Sequence, residues 1–366
     1  MPLPDSQTAI IADHLGSLTV AHGVPVPEVE PDMLLVRTVA VAVNPVDVKL
    51  TKAMAVEGAI AGSDCSGVVV AVGSAVPPGK FVVGDRVCAA ITPMNPATPR
   101  IGAFAEYVGA TADCALRLPD GISLDSGATL GIGVATIGYA LFQSLKVPGH
   151  PDSPATTPQY VLVYGGSTAS GTLAIQLILK SGLIPITTCS PKNFALVESR
   201  GAEKAFDYHD PSSAAGIRAY TKNALDYALD CHCDASSMQY CYAAIGRAGG
   251  RYTTLEPYPE QLHTRKRVRP NWILGPALLG KDVNWKAPYT IKARPELRLF
   301  ARDWFMCAQR LLDNGDLEPH PARVGEKVGF GAILEGIEIL RKGTVSGEKL
   351  VYHIKDGGES DGASSN

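Results

Sequence analysis

The stretch from Tyr160 to Ala174 constrains this chain more than any other. It reads Tyr-Val-Leu-Val-Tyr-Gly-Gly-Ser-Thr-Ala-Ser-Gly-Thr-Leu-Ala: a short apolar run suited to a buried strand, a double-glycine turn and the opening of a helix. Such a join turns backbone N–H groups and the positive end of a helix dipole towards one point, which suits a nucleotide phosphate. A second strand, Ile184 to Cys189, follows at the spacing of a strand-helix-strand unit and ends in Ser190-Pro191-Lys192-Asn193. A chain that holds NAD usually carries Asp or Glu there for the ribose 2′-hydroxyl. A hydroxyl and a lysine suit a 2′-phosphate instead, so NADPH is the expected cofactor. The strict G-x-G-x-x-G is absent. Gly165-Gly166-Ser167-Thr168-Ala169 also fits a degenerate nucleophile elbow, with Asp230 and either His320 or His353 as formal partners for a serine hydrolase. A nucleotide-binding protein without catalysis is a third reading, because a fold alone does not fix an activity.

At 366 residues, with 46% of them hydrophobic, the chain has material for two cores. A net charge of −3 demands neither nucleic acid nor a membrane as partner, and 19% charged residues is low for a disordered protein. The first residues lack a basic segment followed by an apolar one, and no uninterrupted apolar run is long enough to span a bilayer, so cytoplasmic residence is the expectation. Cys65, Cys88, Cys114, Cys189, Cys231, Cys233, Cys241 and Cys307 stand mostly in apolar surroundings, as reduced core cysteines do, and no disulfide is expected.

The first third holds β-rich segments such as 34–43 and 67–73, punctuated by Pro and Gly, with the texture of a small irregular barrel. Ser123 is placed to cap a helix from Leu124, which continues to Leu145 after a break at Gly131-Ile132-Gly133. The Pro-rich segment 147–159 marks a boundary. Beyond it strands near 160–164, 184–189, 204–207, 226–231, 251–254 and 271–274 alternate with helices, which implies an α/β domain with a parallel, doubly wound sheet. Pro295 and Gly315 bracket a further helix, Phe330 to Lys342 forms another, and Leu350 to Ile354 a last strand, this portion returning to the first domain. The polar residues 355–366 are expected to be disordered.

Asn44-Pro45-Val46-Asp47-Val48-Lys49, Gly62-Ser63-Asp64-Cys65-Ser66-Gly67, Gly84-Asp85-Arg86-Val87, Gly102-Ala103-Phe104-Ala105-Glu106-Tyr107 and Ser346-Gly347-Glu348-Lys349-Leu350-Val351 together resemble the medium-chain dehydrogenase/reductase superfamily, in its quinone-oxidoreductase-like branch. More narrowly, the 161–169 turn, Thr188 to Phe194, Ala244 to Gly250 and Trp272 to Pro276 look like the fungal trans-acting enoyl reductases of polyketide biosynthesis. The resemblance implies a GroES-like β-rich catalytic domain (1–150 and 295–354) split around a Rossmann NADPH-binding domain (151–294), with the active cleft between them. In zinc-dependent members a Cys and a His-Glu pair stand where this chain has Val46-Asp47 and Ser63-Asp64, and the cysteines of the structural zinc lobe are missing, so no metal is expected. On a strand, Cys231 and Cys233 would share a face and His232 would point away, a poor metal cage. Without a metal to polarise a carbonyl, the implied reaction is hydride addition to an α,β-unsaturated thioester. The implied partner is the acyl carrier protein domain of a polyketide synthase, or synthase–peptide synthetase hybrid, that lacks a working enoyl-reductase domain. A stand-alone quinone or enone reductase with a free substrate is the nearest rival, and the close relatives lean towards monomers.

By the same resemblance Pro45, Val46, Asp47 and Val48 line the nicotinamide side, and Ser167, Thr168, Ala169 and Ser170 meet phosphate. Ser190, Pro191, Lys192 and Asn193 clasp the 2′-phosphate, and Tyr208 stacks near the adenine ribose. Leu255, Glu256, Val345 and Ser346 lie along the nicotinamide half. The acyl chain is expected between Gly131, Ile132, Gly133, Val134, Ala135, Thr136, Ile137 and Gly138 on one side and Gly275, Pro276, Ala277, Leu278 and Leu279 on the other. Simple core packing is the bland alternative for both runs. Lys49 is the candidate for stabilising enolate charge or relaying a proton. The densest basic run, Arg265-Lys266-Arg267-Val268-Arg269, is either a solvated face or an electrostatic dock for the acidic carrier protein.

Overall fold

Small and β-branched residues run through Met33–Ala42, and this ten-residue strand becomes the centre of the first sheet. It pairs antiparallel with Asp64–Val72, Tyr107–Thr111 and Lys349–His353. The seven strands follow the order Ala322–Val324, Lys349–His353, Met33–Ala42, Asp64–Val72, Arg86–Ala90, Ala115–Arg117, with Tyr107–Thr111 joined off that path. Two of its strands thus come from the far end of the chain. Ile10, Leu34, Val36, Ile60, Phe104 and Ile333 fill the core beneath it. In this computed structural model residues 3–355 are described, so the expected disorder of 356–366 lies outside the described residues. Lys355, which that expectation included, pairs with Glu106 at 2.7 Å.

The second sheet is all parallel, in the order Lys204–Phe206, Ile184–Thr188, Tyr160–Tyr164, Tyr227–Asp230, Gly250–Thr254, Val268–Trp272. This is the doubly wound arrangement, whose order reverses between Tyr160–Tyr164 and Tyr227–Asp230 and opens a crevice at the carboxyl ends of those strands. Val161, Leu162 and Val163 are all fully buried, as a strand covered on both faces requires. The sixth strand lies earlier than 271–274 and takes in Arg269 and Pro270. It forms the sheet's edge, where a residue without an N–H is tolerated.

Ser123 caps the helix Leu124–Gly127 by accepting from the Ser126 N–H at 3.1 Å. The break falls at 128–130 rather than at Gly131-Ile132-Gly133, which instead opens the helix Gly131–Gly138. A π-helical turn, Tyr139–Leu145, follows and ends on Lys146 in the left-handed region, φ 54°. The 124–145 run is apolar and long enough to cross a membrane by composition, but Leu130, Val134, Ile137, Leu141 and Leu145 are fully buried in a hydrophobic core. Pro295 starts the helix Pro295–Asp313, which buries Leu297, Ala301, Trp304, Ala308 and Leu312 along one face. The Trp304 indole N–H donates to the Val134 carbonyl at 2.8 Å, locking this helix onto the Gly131–Gly138 helix.

Candidate active site

The double-glycine turn lies where the first parallel strand ends. Gly165 has φ +80°, a Cβ on Gly166 would stand 1.9 Å from Thr187 Oγ1, and one on Gly171 would stand 2.3 Å from the Gly165 carbonyl oxygen. Gly171 therefore does the close helix-to-strand packing that the fingerprint assigns to its last glycine. The N–H groups of Gly165 and Gly166 donate to the Thr188 carbonyl at 3.2 and 2.9 Å, so the glycines themselves present no free donors. Those fall to Ser167, Ala169 and Ser170, whose N–H groups have no acceptor among the described residues, at the start of the helix Ala169–Lys180. Thr168 caps that helix by accepting from Gly171 N–H at 3.0 Å. A turn stripped of side chains, next to orphaned donors and a helix N-terminus, fits a dinucleotide pyrophosphate.

The second strand ends beside it. Asn193 is buried, and its amide donates to Ser167 Oγ at 3.1 Å and to Ser346 Oγ at 2.9 Å. One side chain so joins the turn, the second strand's exit and a loop of the first domain, and it brings Ser346 to the phosphate end of the crevice. Ser190 Oγ and Tyr208 OH stand 3.4 Å apart, with Pro191 and Lys192 exposed beside them. Tyr208 tilts towards Tyr164, ring centroids 6.0 Å apart, an aromatic wall next to the hydroxyl–lysine pair.

The hydrolase reading fails on geometry. Ser167 Oγ is engaged by Asn193, His320 Nδ1 lies 2.9 Å from Thr172 Oγ1, and His353 pairs with Asp125 at 2.6 Å. Asp230 accepts from Ser237, Tyr252 and the N–H groups of His232 and Cys233, leaving it no part in a triad.

On the first-domain side, Asn44 precedes the short helix Pro45–Lys49. Its N–H donates to Asp47 Oδ2 at 2.8 Å, and its amide donates to Ser63 Oγ and Asp64 Oδ2 at 3.0 and 2.9 Å. Asp64 has no exposed surface. It also accepts from Ile132 N–H at 2.7 Å and holds the Lys349 ammonium at 2.5 Å. The places where zinc-dependent relatives carry thiolate and imidazole thus hold an apolar residue, a hydroxyl and two carboxylates, one already neutralised by a lysine, a donor set that does not fit zinc.

Burial pushes the Asp47 carboxyl up to about 7, and its Oδ1 has no partner. Because the native state holds this proton more tightly than the unfolded chain, the resulting stability is full below pH 4 and is lost as pH rises towards 7. The loss amounts to at most about 4 kcal/mol. Urea titrations of the wild type should show this fall, and Asp47→Asn should flatten it; an unchanged slope in the variant would assign it elsewhere.

Lys49 and Glu256 meet across the crevice at 2.7 Å, and Tyr289 donates to the other Glu256 oxygen at 2.9 Å. Burial and the neighbouring carboxylate push the Tyr289 phenol up to about 12, which keeps it a donor. Trp272 packs edge-on against the same tyrosine at 6.1 Å. Trp272 stands in one of the strings that carry the family resemblance but was assigned no role in the site, and Tyr289 lies in a short loop with no local signature.

The proposed acyl-chain residues divide. Val134, Ala135, Ile137, Ala277 and Leu278 belong to the core. A Cβ on Gly131 would meet the Ala89 carbonyl, one on Gly133 Leu173, and one on Gly138 the Trp304 indole, so these glycines let elements approach rather than open a cavity. Ile132 and Thr136, one turn apart, remain half-buried, as do Gly275, Pro276 and Leu279, with Thr136 Oγ1 3.6 Å from where a Gly275 Cβ would stand.

Cys231-His232-Cys233 follows the strand rather than continuing it. Cys233 is left-handed, φ 71°, and its Sγ accepts from Leu255 N–H at 3.3 Å. Burial pushes both thiols up, Cys233 to about 12. Among the described residues, the one His/Cys/carboxylate group close enough to share a cation is His150, Asp152 and Cys307, where Arg310 already holds both Asp152 oxygens at 2.7 Å. The basic run also divides: Arg265 turns inward onto the carbonyls of Tyr242, Ile245 and Gly246 at the end of the helix Ala235–Ala244, while Lys266, Arg267 and Arg269 are exposed.

Residues 30–120 match the alcohol dehydrogenase GroES-like domain family. The chain is 53% identical to trans-enoyl reductase FSL5 of Gibberella zeae over 353 residues, covering 96% of this chain and 98% of that protein. It is 48% identical to trans-enoyl reductase caaB of Aspergillus niger over 361 residues, 96% of this chain and 98% of that one. Among solved structures, it superposes on the CurK enoyl reductase with a TM-score of 0.71 at 18% identity, covering 95% and 99% of the two chains. The quinone oxidoreductase of Coxiella burnetii gives 0.66 at 21% identity, covering 96% and 100%.

Proposed function

This chain belongs to the trans-enoyl reductases, oxidoreductases of the medium-chain dehydrogenase/reductase superfamily that use a nicotinamide cofactor, and we propose that its cofactor is NADPH, that it works without a metal, and that its substrate is a polyketide chain carried on a partner synthase. The observation that carries this reading is the ion pair between Lys49 and Glu256, which sets an ammonium over the crevice at the carboxyl ends of the parallel strands. Bound there, the nicotinamide would supply a hydride for the β-carbon of an α,β-unsaturated thioester, and the α-carbon of the resulting enolate would then take up a proton. Lys49 offers positive charge where the thioester oxygen becomes negative, and Glu256, fixed by Tyr289, holds it in position. Ile132, Thr136, Gly275, Pro276 and Leu279 border the acyl chain.

Ser190 and Lys192 favour the 2′-phosphate because no carboxylate stands at the end of the second strand. Eight free cysteines suit a reducing, cytoplasmic setting. Pro270 and the exposed Arg269 on the free edge of the second sheet discourage edge-to-edge pairing, so sedimentation should find a monomer.

The assay is loss of NADPH absorbance with a crotonyl or branched enoyl-pantetheine thioester, free or carrier-bound. Lys49→Met should lower kcat about 100-fold and leave the dinucleotide Kd unchanged. No oxidation under any carrier or partner condition removes the proposal, and a higher kcat/KM on free quinones or enones would transfer the enzyme to its nearest rival class.

A further inference from the structure

A concavity of about 360 Å³ opens at the amino-terminal end of the second sheet's last two strands, away from the crevice. Lys146, Arg251, Arg269 and Arg294 converge on it. Arg251 and Arg269 are direct neighbours in the parallel register. Arg294 has Glu296 as a partner at 2.9 Å, but Lys146, Arg251 and Arg269 have no counter-ion among the described residues. Three uncompensated cations around one hollow, in a chain of net charge −3, make a localised positive field that an anion would relieve.

The floor of the hollow is organised. Asn271 donates to Ser144 Oγ at 2.8 Å, and Ser144 Oγ lies 2.9 Å from Thr253 Oγ1. Its wall is the π-helical turn Tyr139–Leu145, a form that recurs at functional positions. The turn ends on Lys146 in the left-handed conformation, φ 54°, with its exposed side chain at the rim of the hollow.

We propose that this hollow is the docking point for the carrier domain that presents the substrate, an inference that rests on the function proposed above. A carrier-bound thioester hangs from a serine phosphodiester on an acidic protein surface, which suits a cluster of guanidinium forks. The free edge of Val268–Trp272 runs from Arg269 to Trp272, about 10 Å at 3.3 Å per residue. Beyond it lie Gly275 and the Lys49–Glu256 pair. A pantetheine arm spans about 15 Å when extended, at the reach of a peptide chain of similar bond count. A carrier docked in the hollow would lie on the sheet edge that no other strand covers, with its arm directed along that edge towards Trp272. The basic run 265–269 contributes Arg269 alone to it.

The test compares the full-length wild type with Arg251→Glu/Arg269→Glu and with Arg267→Glu, an exposed cation outside the hollow. Substrates are an enoyl thioester on the isolated carrier domain and the same acyl group on N-acetylcysteamine, and carrier binding is also read by fluorescence anisotropy without dinucleotide. The double variant should lose at least about tenfold in kcat/KM and in affinity on the carrier, with a flatter salt dependence, and stay within about twofold on the small thioester. Arg267→Glu should change neither. Equal loss on both substrates, no loss on the carrier, or an effect of Arg267→Glu as large as the double variant's would overturn the dock. Failure of the wild type on both substrates would instead remove the functional reading beneath it.

Discussion

Replacing Lys349 with methionine should cost about 3–5 kcal/mol, the loss expected when a buried ion pair is broken from one side. Lys349 is 5% exposed and Asp64 not at all, so water cannot replace the lost ammonium. The carboxylate would keep only the donors from Asn44 and Ile132. Both are neutral, and neither offsets a buried charge. Denaturant midpoints give the number, with an unchanged m-value showing that the unfolding reaction is the same. Asp64→Asn/Lys349→Met should recover part of the loss, because removing both charges removes the uncompensated one. A single variant within about 1 kcal/mol of wild type would show that the site admits water or takes up a proton at no cost. The same carboxylate holds the first turn of the helix that carries Ile132 and Thr136, so the single variant should also raise KM for the thioester.

Ser190→Asp/Lys192→Ser should invert dinucleotide preference. The wild type presents a hydroxyl and a cation at the end of the second strand, and the variant presents an anion suited to a ribose 2′-hydroxyl. Loss of a charge-assisted contact worth about 1.5–3 kcal/mol, together with repulsion between carboxylate and phosphate, should weaken NADPH about 100-fold or more. NADH should hold or gain. Fluorescence titration of both dinucleotides measures this without turnover. Equal affinity of the wild type for the two would withdraw NADPH as the cofactor.

The parts of the molecule that were legible in advance were those written locally. Buried-strand runs, the Ser123 cap and Pro295 at a helix start depend on neighbours within a few positions, and the parallel sheet follows from their alternation. The misplaced sixth strand follows from the same logic, since Arg269 and Pro270 argue against a strand unless it lies at an edge. The cleft glycines were ambiguous for a physical reason: a missing side chain opens a cavity or admits a neighbour, and only the position of Trp304 decides which at Gly138. Arg265 looked like its exposed neighbours because nothing in the run reveals the three carbonyls waiting for it. Lys349 and Asp64 are 285 positions apart, and Tyr289 finds Glu256 from a short loop, so neither contact had a local signature.

That separation governs how the molecule must be made. Met33–Ala42 is synthesised early, yet its neighbour Lys349–His353 leaves the ribosome only after the whole parallel sheet has emerged. The contiguous nucleotide-binding half can condense during translation, whereas the first sheet keeps an open flank until the polypeptide is nearly finished. A nascent chain stalled before Lys349 would therefore display an apolar β-edge, the state in which holding by chaperones matters most.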